Sequence, residues 1–227
     1  MKRTAVDYSG FSLRELKNPR FSHLLLLLGW VGYFLLFFLT ENLIPAERCT
    51  PVHIWLDDVI PFCEWFLIPY VAWYGLIVFS LGWFLRYDVN DFKRLQIYIT
   101  ITQICAVTVY ILLPSRQDLR PEVLPRDNLL ARGVALLYSL DTNTGVCPSL
   151  HVAYSLAIAS VWLKRRDTKW YWKLLLVIAV GLICLSTVFI KQHSAADFFA
   201  ALPVCLVGEA LLYGKDYWLP RLKKSTA

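Results

Sequence analysis

Charge is scarce in this chain. Only 18% of its 227 residues are Asp, Glu, Lys or Arg, against about a quarter in soluble domains. Gly/Ser-rich linkers, low-complexity tracts and internal repeats are also lacking, which leaves one domain and disfavours the paired inverted halves of many transporters. None of the six cysteines belongs to a Cys-x-x-Cys pair. Metal-ligand spacing is therefore missing, and neither metal nor cofactor is expected. No basic, aromatic-rich soluble domain exists to hold nucleic acid. Residues 1–21 are polar and basic, and the apolar block after them is too long for the core of a cleavable signal.

Apolar residues fill the space. They make up 57% of the chain, the mean hydropathy is +0.50, and they fall in blocks. A helix needs about 20 such residues to span a bilayer. Six blocks are candidates: Ser22–Thr40, Phe62–Leu85, Leu95–Leu113, Ser149–Leu163, Trp172–Ile190 and Ala195–Tyr213. The fourth is short. The fold class expected is an all-α integral membrane bundle of six transmembrane helices. It comprises an N-terminal segment (1–21), a membrane domain (22–213) and a basic tail (214–227), with Ser9–Arg20 as a candidate surface-lying helix.

The placement of charge orients this bundle. Residues 1–21, 86–94, 164–173 and the tail hold 17 of the 23 Lys and Arg. The positive-inside rule then puts both termini in the cytoplasm. These basic segments suit anionic inner-leaflet lipids. The long loops 41–61 and 114–148 lie outside, over the bundle. Cys49 and Cys63 are a candidate disulfide pair there, whereas Cys105, Cys184 and Cys205 read as small apolar fillers. Trp65, Trp73, Trp83, Trp162, Trp170, Trp172 and Trp218 read as interfacial anchors.

Two short motifs sit at the outer boundary. In Lys191–Asp197, His193 and Asp197 are four residues apart, so a helix brings them onto one face. The carboxylate can hold one ring nitrogen as N–H and free the other to attack an electrophile. The plain alternative is a helix cap, favourable on dipole grounds alone. In Cys147–His151, Ser149 is an N-cap candidate, and the free N–H groups of the first turn suit an anion. His151 stands in that turn as a candidate acid. Arg116, Arg120, Arg126 and Arg132 precede it, and guanidinium forks match phosphate oxygens. Arg120-Pro121 is the most attractive, and Lys191 adds another cation. At least half of these charges read equally well as solvated or paired with Asp118, Glu122 or Asp127. His23 belongs to the opposite boundary. His53 lies near Asp57 and Asp58, acids that would suit a cationic headgroup.

These residues resemble the type 2 phosphatidic acid phosphatase superfamily, whose signature is Lys-x6-Arg-Pro, Pro-Ser-Gly-His and Ser-Arg-x5-His-x3-Asp. Arg120-Pro121 matches the first motif, with Leu113 at the lysine and Arg116 as a candidate substitute. Pro148, Ser149 and His151 match the second, with Leu150 at the glycine. Ser186, His193 and Asp197 match the third, with Thr187 at the arginine and Lys191 as substitute. The pattern looks closer to the branch of inositol phosphorylceramide and sphingomyelin synthases. The resemblance implies a lipid phosphatase in which His193 is the nucleophile, Asp197 its orienter and His151 the acid. Arg120, Arg116, Lys191, Ser149 and Leu150 would form the phosphate site. A headgroup transferase is the alternative, and a transporter using the His/Asp pair as a proton relay is the rival outside enzymes.

Overall fold

A computed structural model of the chain describes residues 4–225. The long helices are α1 (Leu28–Leu43), α3 (Leu67–Tyr87), α4 (Val89–Leu112), α6 (Leu150–Lys164), α7 (Trp170–Phe189) and α8 (Ala195–Tyr213). The connections carry α2 (Trp55–Val59) and α5 (Leu129–Leu140), and α9 (Leu219–Ser225) follows α8. With their flanking turns, α1, α3, α4, α7 and α8 are long and apolar enough to cross a membrane. The helix of the fourth block, α6, is not: its 15 residues reach only about 22 Å.

That short helix is the centre of the bundle. It packs on α3, α4, α7 and α8, and Val152, Ala153, Ala157 and Ile158 are fully buried. Small side chains let neighbouring backbones approach closely, which matters where lipid supplies no hydrophobic drive between helices. A second close approach joins α8 to α4. A Cβ on Gly208 would meet the Tyr98 ring at 2.2 Å, and that ring is pinned by its hydroxyl donating to Cys205 O at 2.7 Å. Gly208→Ala is therefore expected to overpack this crossing and cost about 1–3 kcal/mol, read as a lower thermal midpoint in detergent.

The turns follow from local chemistry. A single residue, Asp88, separates α3 from α4 and caps α4 by accepting from Asp91 N at 3.1 Å. At this end Arg165 bonds Asp88, Asp91 and Asp167. Residues 9–20 form no surface helix. Gly10, Asn18 and Pro19 interrupt it, leaving one 3-10 turn at Leu13–Lys17. The segment folds back so that Tyr8 meets His23 at 2.9 Å and donates to Leu85 O. His23 is buried there, far along the bundle from the other histidine motifs.

At the opposite end the two long loops are tied together. Strands β1 (Thr50–Pro51) and β2 (Ser115–Arg116) pair in parallel, and Arg116 also bridges to Thr144. The 114–148 connection, expected to be loop, contains the helix α5. Asn128 caps it by accepting from Ala131 N at 2.9 Å, while Ala131 and Val134 face inward. All six cysteines are free thiols, so Cys49 and Cys63 form no disulfide.

Candidate active site

The end of α7 delivers His193. Lys191 adopts φ of 52°, the left-handed conformation that closes many helix C-termini. Gln192 N and His193 N then both donate to Thr187 O at 3.0 Å. Two residues later α8 begins, capped by Ser194 and Asp197, with Ser194 N donating to Asp197 Oδ2 at 3.0 Å. The helix-cap and orienting readings of Asp197 hold together, because the same oxygen also receives His193.

His193 Nδ1 lies 3.1 Å from Asp197 Oδ2 and 3.1 Å from Val146 O. Both partners are acceptors. The proton therefore belongs on Nδ1, and Nε2 is left with its lone pair. The ring is nearly buried and Asp197 fully so. Beside them lies the Cys147 thiol, which burial and the Asp197 charge push up to about 12, so it stays protonated.

His151 approaches from the first turn of α6. Its ring stacks on Tyr70 with centroids 4.3 Å apart, lies 4.0 Å from Trp73, and meets His193 edge to face at 5.7 Å. Trp73 is thus part of this site and buried, not an interfacial anchor; Trp65, Trp170 and Trp172 are exposed. The Pro148-Ser149 turn is fixed by Tyr110 donating to Pro148 O at 2.8 Å and Ser149 N donating to Asp197 O at 3.1 Å. Ser149 Oγ and His151 Nε2 are buried without a protein hydrogen-bond partner, and of the two residues His151 lines a cavity.

No family model, curated protein or solved structure matches this chain. The motif resemblance therefore stands on the residues alone, and their geometry has to carry the function.

The cations are arranged differently from the histidines. Arg120 donates all five of its N–H groups to the protein, to Tyr138 O, Asp141 O, Thr142 O and twice to Gln192 Oε1. Its guanidinium lies 4.7 Å over the Tyr138 ring. Arg120 thus braces the end of α5 against the residue preceding His193. Arg116 donates to Asp118 and to Ala46 O. Lys191 Nζ donates to Asp57 O and Ile60 O at 2.8 and 2.6 Å. Arg126 and Arg132 pair with Glu64 and Asp127. Of these five, Arg120 has every N–H committed to protein acceptors, whereas Arg116 and Lys191 each make two such bonds.

Residues that motif reading did not single out complete the site. Asp141 receives Gln192 Nε2 at 3.1 Å, and burial raises its pKa against the pull of His193 and Arg120. Asp57 accepts from Ser194 Oγ at 2.6 Å and Ala195 N at 2.7 Å, clamping the first long loop onto α8. Asp57 is buried and structural, whereas Asp58 pairs with His53 at 2.8 Å on the surface. Above and beside the histidines lies a cavity of about 680 Å³. His151, His193, Leu150, Asp141 and Gln192 line its head, and aromatic and aliphatic side chains of α1 and α3 line the remainder. Among the described residues that line it, none is Lys or Arg.

Proposed function

We propose that this chain is an integral membrane enzyme acting on a lipid phosphoester through a phosphohistidine at His193. The observation that carries the reading is the double acceptor on Nδ1, which leaves Nε2 as a nucleophile at the head of a largely apolar cavity. In the first step Nε2 forms a bond to phosphorus while the P–O bond to the leaving group breaks. His151 gives a proton to the leaving oxygen, in the imidazolium form that the negative charge of the bound phosphoester stabilises. In the second step water or a lipid alcohol attacks phosphorus, the P–N bond breaks, and His151 recovers a proton from the attacking oxygen. Asp197 holds the His193 tautomer throughout and stabilises the positive charge on its ring.

In this reading α6 is a sixth, sheltered span. Both termini lie in the cytoplasm, beside the Arg165 cluster and most of the Lys and Arg, and the histidines open on the extracytoplasmic side. Hydrolysis of a phosphatidic acid-like monoester is one outcome. A specific observation favours the second, headgroup transfer from a phosphodiester. Arg120 is wholly committed to protein acceptors, no described Lys or Arg lines the cavity, and Asp141 places a carboxyl group at its head. A monoester dianion gains most from free cations, whereas a diester carries a single negative charge.

Product analysis decides between them. Wild-type protein in micelles with EDTA is supplied either with phosphatidic acid, or with phosphodiester lipids plus a diacylglycerol or ceramide acceptor. Headgroup transfer should exceed phosphate release. Phosphate release alone would establish the hydrolase, and neither product from a folded protein would overturn the enzymatic reading.

A further inference from the structure

The cavity has a shape that the chemistry at its head does not require. On α1 it is lined by Trp30, Tyr33, Phe34 and Phe37, a spacing that puts all four on one face of the helix. On α3 it is lined by Tyr70, Trp73, Tyr74, Ile77, Val78 and Leu81, again one continuous face. Facing stripes of this kind normally interdigitate, since protein interiors are packed to crystal density. Here they stand apart. Within α1, Thr40 is the only buried residue, and the helix leans on α4. The floor of the gap is closed by Trp73 and Ile77, each 8% exposed, but its rim is open: Phe34 is 59% and Val78 72% exposed. Both rim residues belong to helices apolar and long enough to cross a membrane.

The gap is also directional. From Tyr70, stacked on His151, to Leu81 is eleven residues of α3, about 16 Å along the axis and roughly half the 30 Å hydrocarbon core. It runs from the histidine pair into the bundle to about the depth of one leaflet. Its deep part carries no charged side chain, so water gains little there while an apolar chain gains the full transfer energy.

We propose that this slot between α1 and α3 holds one acyl chain of the lipid substrate, which enters sideways from the bilayer and sets chain-length preference. The proposal rests on the lipid reading of the active site. Each methylene buried there should strengthen binding about fourfold, so the deep end at Leu81 decides how long a chain is preferred.

The test shortens the slot with Leu81→Trp, and with Val78→Trp should the first variant fail to fold. Two readouts are taken. One is the ratio of kcat/KM for dipalmitoyl over dihexanoyl substrate. The other is the long-chain lipid retained through purification, counted by native mass spectrometry. The ratio is expected to fall at least tenfold and retained lipid to decrease; a merely destabilised enzyme would lose both activities together and keep its ratio. Should wild type turn over no lipid while Leu81→Trp still sheds bound lipid, the slot stands and the proposed reaction falls. An unchanged ratio with unchanged lipid retention would overturn the proposal, as would a second copy of the chain found covering the slot by cross-linking at Val78→Cys.

Discussion

His193→Ala is expected to lower turnover by on the order of 10⁴-fold or more, with the protein still folded and membrane-inserted. The buried imidazole makes two hydrogen bonds, to Asp197 and to Val146 O, but it lines the cavity, so its loss enlarges a space already present while Ser194 N–H still pairs with Asp197. Asp197→Asn separates charge from fold. The asparagine carbonyl can still accept Ser194 N–H and keep the cap on α8. That same carbonyl oxygen also keeps the His193 Nδ1–H bond, but without the carboxylate's negative charge, so the positive ring formed on attack loses its stabilisation. A loss of about 10²–10⁴-fold is expected, with an unchanged thermal midpoint. Rapid acid-free quenching of wild type with labelled substrate should trap label on the protein, and His193→Ala should trap none. Comparable activity in His193→Ala at equal expression would remove His193 as nucleophile.

The parts of this arrangement differ in how openly the sequence displays them. Long apolar blocks and an i, i+4 His/Asp pair are local patterns, and the helices and the His193–Asp197 contact follow from them directly. Helix α5 is equally local, yet shorter than a membrane span. Its 12 residues are too few to span, and Pro121 and Pro125 mark the stretch before it as loop. Its sequence signal was the Asn128 cap followed by Leu130, Val134, Leu137 and Tyr138 at helical spacing. Trp73 was legible as aromatic but not as buried, because membrane helices are apolar on every face and lose the phase that separates inside from outside. The stripe Tyr70, Trp73, Tyr74, Ile77 was the available clue. The fate of the cations was not legible at all. Whether an arginine faces substrate or backbone depends on which carbonyls lie within about 3 Å, and residues 138–142 reach Arg120 only through the fold of two loops.

Arg120 accordingly gives the second large effect, and a distinctive one. A side chain gripping phosphate would, on truncation, weaken binding and turnover while sparing stability. Arg120 instead satisfies the carbonyls of Tyr138, Asp141 and Thr142 and both holds Gln192 and, through it, faces Asp141. Arg120→Ala leaves the part-buried Tyr138 carbonyl unpaired while water takes over the exposed Asp141 and Thr142 carbonyls, at a cost of about 1–3 kcal/mol, and frees Gln192, the residue that sets the approach of His193. A fall in thermal midpoint should therefore accompany a fall in kcat. Arg120→Lys makes the argument sharp. It keeps the positive charge, so a site that needs only charge near phosphate would recover most of its activity. A three-donor ammonium cannot reproduce five N–H bonds in a planar fork, so a bracing residue should remain impaired in both stability and kcat. Full rescue by lysine, with stability untouched by alanine, would return Arg120 to the phosphate itself and reopen the cavity head to a dianionic substrate.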